Sequence, residues 1–129
     1  MSKYAFGKTV DLTFDQACAR VTEALGKEGF GVLTEIDVAA TLKNKLDKDV
    51  PPYKILGACN PHFAHQALAA EPEIGTLLPC NVVVRVDAGG GTRVDFMDPH
   101  AVLELVRRKE IDAVAAQVRE RLQRVMNAL

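Results

Sequence analysis

The sequence predicts an α/β (α+β) fold, with one sheet of about five strands, read as mixed, and helices packed on it. Three observations predict it. Several short stretches place apolar residues at every second position, as half-buried strands do. Between them, apolar residues recur at steps of three and four, as on one face of a helix. The two kinds of stretch follow one another in the order β-α-β-α-β-α-β-β-α-α. The 129 residues suit one domain, 1–129, with no internal boundary.

Lys3–Val10 reads as the first strand, with Tyr4, Phe6, Lys8 and Val10 on one face. Thr13 opens a helix, and Gln16 stands where a capping box needs it. Phe14, Cys18, Val21 and Leu25 form its apolar stripe, and Gly26 and Gly29 offer a left-handed stop. Cys18 is read as core packing. Phe30–Ile36 is the second strand, with Phe30, Val32, Thr34 and Ile36 on one face. Asp37 caps a helix over Val38–Leu46, whose lysines alternate with Asp47 and Asp49 as on a solvated face.

After the stiff Asp49–Pro52 connector, Tyr53–Cys59 is the third strand. Asn60 then reads as an N-cap and Pro61 as the first residue of a helix that runs to about Ala70, with Phe63, Ala64, Ala67 and Leu68 inward. Glu71–Pro79 is a loop. Cys80–Val86 is the fourth strand, and its Val82–Val84 run suits burial on both faces. A glycine turn leads to an antiparallel fifth strand, Thr92–Met97. That turn joins two strands and opens no helix, so it is no phosphate cradle. Asp98-Pro99 starts a short helix to about Arg107. A last helix carries Ile111, Val114, Val118, Leu122, Val125 and Leu129 on one stripe.

Charge excludes one class of partner. Sixteen basic residues against 17 acidic ones leave no electrostatic footprint for nucleic acid. No apolar run approaches the ~20 residues of a membrane span. The N-terminus has no signal-peptide core, so a cytoplasmic location is expected. Three cysteines make no disulfide framework and are expected as thiols.

Candidate chemistry gathers in two matching settings, Cys59-Asn60-Pro61 and Pro79-Cys80-Asn81. Cys59 precedes a helix N-terminus, where the dipole favours a thiolate. His62, three residues on, could lower its pKa further or join Cys59 and Cys80 as a ligand for a soft metal ion. His65 shares that helix side. Asn81, one residue into a strand read as buried, needs partners for its amide. The two sulfurs meet only if the third and fourth strands are antiparallel neighbours.

The stretches ILGACNPH (Ile55–His62) and LLPCNVVV (Leu77–Val84) resemble the DUF302 family of domains of unknown function. The resemblance extends through EGFGVLTEIDV (Glu28–Val38), PYKILGACNP (Pro52–Pro61), EPEIG (Glu71–Gly75) and Asp98-Pro99, in order along almost the whole chain. Val50-Pro51-Pro52 departs from it, where an aromatic or basic residue before a single proline is expected. The resemblance implies an α/β domain with a mixed sheet, as a homodimer, and lends no activity or cofactor.

The expected function is a homodimeric binding module. Its site of Cys59, Asn60, His62, Cys80 and Asn81 would take a soft metal ion or a small sulfur-reactive ligand, with Cys59, Cys80 and His62 as the metal set. The alternatives are a redox or sulfur-transfer enzyme with Cys59 as nucleophile, and a structural dimer with inert thiols.

Overall fold

Every predicted strand and helix forms. In the computed structural model, which describes residues 2–129, the chain runs β1 (Ala5–Val10), α1 (Phe14–Lys27), β2 (Gly31–Asp37), α2 (Val38–Leu46), β3 (Tyr53–Cys59) and α3 (Pro61–Ala70). It continues with β4 (Cys80–Val86), β5 (Thr92–Met97), α4 (Pro99–Leu103) and α5 (Lys109–Asn127). A 3-10 turn over Pro72–Leu77 occupies the predicted loop, and another over Glu104–Val106 ends the predicted short helix. No helix among the described residues is long and apolar enough to cross a membrane.

The strand order is β1-β5-β4-β3-β2, and every ladder is antiparallel. The expected mixed sheet is thereby corrected to an antiparallel one. The reason lies in the β3–β4 connection. Such a connection carries a crossover helix when strands are parallel, but here α3 and the Pro72–Leu77 turn return the chain to the sheet end it left. β1 and β2 lie at opposite edges of the sheet, so α1 spans the sheet between them.

Local signals act as the sequence predicts at both ends of α1. Thr13 and Gln16 make the reciprocal capping box, and Gly29 takes a φ of 85° just past the helix. Helices α1 and α5 then cover one sheet face. Val21 and Leu25 pack with Val118, Leu122 and Val125 onto Leu56, Val82, Val84, Val94 and Phe96. A smaller cluster of Ala67, Ile74, Leu103, Ile111 and Ala115 joins α3, α4 and the start of α5. Arg108 ties this second unit together, its Nη1 donating to the Ala70 carbonyl at 2.6 Å.

Two facial assignments change. Val82 and Val84 are buried against the helices, but Val83 is only half-buried, because alternate residues of one strand point to opposite faces. In β2 a bulge at Leu33 separates the pairs Val32↔Ala58 and Thr34↔Gly57. The extra residue moves Thr34 and Ile36 off the face that Val32 shares. Ile36, Ile55 and Val83 then form a cross-strand row on the face opposite α1 and α5, and Ile36 is 48 % exposed. Beside that row, Asp95 is held by Arg85 and Arg93 at 2.9 and 3.0 Å.

Candidate functional site: an apolar pocket at one end of the sheet

β3 and β4 are antiparallel neighbours, so Cys59 and Cys80 lie at the same end of the sheet. Cys80 stands opposite Ala58, one residue before Cys59. Opposed residues point to the same face and successive residues to opposite faces. Cys80 therefore joins the helix-covered core, whereas Cys59 belongs to the row of Gly57 and Thr34. Both nevertheless line one cavity of about 330 Å³, which reaches round the sheet end. That volume lies at the lower end of the roughly 300–1,000 Å³ of small-molecule pockets.

The cavity occupies the seam between the two core clusters. Helix α3 lines it with Phe63, Ala64, Ala67 and Leu68, the four residues read as inward-facing. Val114 and Val118 of α5 close another side. Leu33 and Leu68, 68 % and 42 % exposed, continue the apolar lining out to the surface. Gly57 lets the wall close up: a Cβ there would run into Thr34 Oγ1 and lie 2.9 Å from Pro79 Cγ. No Lys, Arg, His, Asp or Glu lines the cavity.

Asn60 sits in this wall and is 7 % exposed. The expected side-chain cap is absent, although Asn60 holds the N-cap position and Pro61 follows it. Its Nδ2 instead donates to the Glu28 carbonyl, 3.4 Å away, where the chain leaves α1. Gly29 makes that approach possible, since a Cβ on it would lie 3.0 Å from Nδ2. The same Glu28 carbonyl accepts from Arg121 Nη1 at 3.1 Å. Among the described residues, Asn60 Oδ1 is the one buried side-chain nitrogen or oxygen without a hydrogen-bond partner.

The other predicted site residues lie elsewhere. Asn81 is exposed on the face turned away from the main core, so its amide needs no protein partner. His62 and His65 are exposed on α3 and do not line the cavity. Among the described residues no group of three or more His, Cys, Asp and Glu side chains is placed to hold a metal ion, so Cys59, Cys80 and His62 do not form one. Burial pushes the Cys59 thiol up from its ordinary value, opposite to the lowering expected from helix position. Cys80 is pushed up to about 12 by burial, with a smaller contribution from Cys59. Cys18 packs on the core from α1, away from the cavity, as predicted.

Reasoning from sequence missed Leu33, Leu103, Val114 and Val118 as pocket residues. Their apolar spacing signals burial and does not tell a filled core from a lined cavity. The bulge that presents Leu33 has no composition signal in this stretch.

The fold and the cavity together define a single α/β domain with an apolar cavity that opens to the surface and has two thiols in its wall. The chain belongs to the DUF302 family, "Domain of unknown function DUF302", whose family model matches residues 6–129. It is similar to the crystal structure of an uncharacterized conserved DUF302 protein from Bacillus stearothermophilus, with 27 % identity and a TM-score of 0.91. That match covers 98 % of each chain. Comparison with curated proteins finds no match.

Proposed function

We propose that this domain binds a small, neutral, largely apolar molecule in the cavity at the sheet end, with Cys59 as the sulfur a thiol-reactive ligand meets. The observation that carries this reading is the 330 Å³ cavity itself, with both thiols in its wall and no ionisable side chain besides them. Burying a charge there without a partner is strongly unfavourable, which selects neutral ligands. Apolar area removed from water stabilises by roughly 25 cal/mol per Å², so an eight-carbon chain suffices for measurable affinity.

A soft metal ion is the weaker alternative. It would have two sulfurs and no imidazole, and Cys80 would have to lose its proton against burial. A nucleophilic Cys59 is also disfavoured, because burial raises its pKa where such chemistry needs it lowered.

A homodimer is part of the same proposal, with a second copy on the sheet face turned away from α1 and α5. Support comes from the Ile36–Ile55–Val83 row, which lies on the face turned away from the main core. Charged side chains at its margin, Arg85, Arg93 and Asp95, would form the polar rim.

Isothermal titration of the intact chain with 1-octanol tests the binding reading. One site per chain is expected, and Ala64→Phe, which fills the cavity from α3, abolishes it. Absence of binding, or binding untouched by Ala64→Phe, contradicts the reading.

A further inference from the structure

The residues that line the cavity are not exposed alike. Phe30, Ala58, Ala67, Leu103 and Val118 are buried, whereas Leu33, Thr34, Leu68 and Gly75 are exposed. The cavity therefore has a closed end among the two core clusters and a mouth framed by β2, α3 and the Pro72–Leu77 turn. Hydrogen-bonding capacity follows the same gradient. Side chains at the closed end are hydrocarbon, with the Cys80 thiol beside them. Asn60 lies in the wall, but its Nδ2 is on the Glu28 carbonyl and its Oδ1 is closed off from solvent. Thr34, whose hydroxyl lies over Gly57, belongs to the exposed end.

We infer that the occupant of this cavity is a single-chain amphiphile, an alkyl tail with a neutral polar head, bound tail first with the head outside the mouth. This rests on the ligand-binding reading above and adds to it the class of ligand and its direction of entry. Head-first entry would set hydroxyls against hydrocarbon and leave them unpaired. Tail-first entry removes apolar surface from water at the closed end while the head keeps its hydration. Leu33 and Leu68 then have a role that their exposure otherwise leaves open, since they cover the stretch of tail nearest the head. Such a site selects for the tail and is indifferent to the size of the head.

Alkyl glycosides below their micelle-forming concentrations separate tail from head. Calorimetric titration of the unmodified chain with hexyl, heptyl and octyl glucoside should show affinity rising about fourfold with each added methylene. Octyl maltoside, with the same tail and a larger head, should bind within about twofold of octyl glucoside, and both should displace 1-octanol. No gain along the series, or a loss of about tenfold or more on enlarging the head, overturns the inference; if 1-octanol still binds, the binding reading stands. Failure of 1-octanol and the glycosides alike overturns both. Ala64→Phe should abolish glucoside binding together with that of 1-octanol, and glucoside binding that survives it overturns the inference. Should Ala64→Phe fail to fold, displacement on the unmodified chain decides: a glucoside that binds without displacing 1-octanol lies elsewhere and overturns the inference.

Discussion

Cys59-Asn60 and Cys80-Asn81 look like copies of one motif, and the fold treats them as opposites. In the first pair the thiol is half-buried and the asparagine is buried with an orphan oxygen. In the second the thiol is buried in the core and the asparagine faces solvent. The difference is one of position. Cys59 is the last residue of β3, where the chain turns into α3 and carries Asn60 back over the sheet end toward Glu28. Cys80 is the first residue of β4, so simple alternation sends Asn81 to the opposite face. A two-residue motif therefore acquires its chemistry from which end of a strand it occupies.

The largest effect expected falls on the contact that holds the two pairs together. Gly57 stands opposite Asn81 and beneath Pro79. Gly57→Val should destabilise the domain by about 3 kcal/mol or more in urea unfolding, because the added branches meet Thr34 and Pro79. Little change in midpoint would show that the wall around Pro79 yields easily.

Serine substitution separates the thiols next. Cys80→Ser should lower stability by about 2 kcal/mol, since a hydroxyl replaces sulfur in the apolar core. Cys59→Ser should lower it by less than about 1 kcal/mol, its site being partly open. Equal losses would erase the contrast.

The pH dependence follows from the same burial. The Cys80 thiol ionises near 9 when unfolded and near 12 when folded. Its contribution is fully present below pH 9 and is lost as pH rises toward 12. Between neutrality and about pH 10 the loss should be on the order of 1.4 kcal/mol, and Cys80→Ala should flatten that part of the profile. An unchanged profile would contradict the burial assigned to Cys80.

Asn81→Ala should change stability by no more than about 0.5 kcal/mol, as for other exposed positions. On the same sheet face, Ile36→Glu should shift the sedimenting species from dimer to monomer while leaving 1-octanol binding intact. A monomer before substitution would remove the dimer from the proposal.

Much of the fold was legible because local signals and tertiary demands agree. The Thr13–Gln16 box, the Asp98-Pro99 helix start and the α5 stripe all act as read, and Asp98 Oδ1 caps its helix by accepting from the His100 and Ala101 amides. Asn60-Pro61 carries the same cap-then-proline signature as Asp98-Pro99, yet its side chain is drawn off to Glu28, a partner 32 residues away that no local pattern reveals. Strand direction was equally beyond local reach, since a helical connection is compatible with either pairing. That both cysteines lie at one sheet end depended on that direction and came out as the antiparallel alternative requires, while alternation sends them to opposite faces. His62 failed as a pocket residue because helix spacing fixes a side of α3 without saying which side faces the sheet end.

Alkylation of the native protein by N-ethylmaleimide, with and without saturating 1-octanol, tests the central claim most directly. Cys59 lines the cavity and Cys18 does not, so Cys18 is an internal control. The account predicts that octanol slows modification of Cys59 by about tenfold or more, that Cys18 keeps its rate, and that Cys80 stays unmodified throughout. Identical Cys59 rates in the two conditions, with octanol in excess, would contradict a ligand site at this end of the sheet.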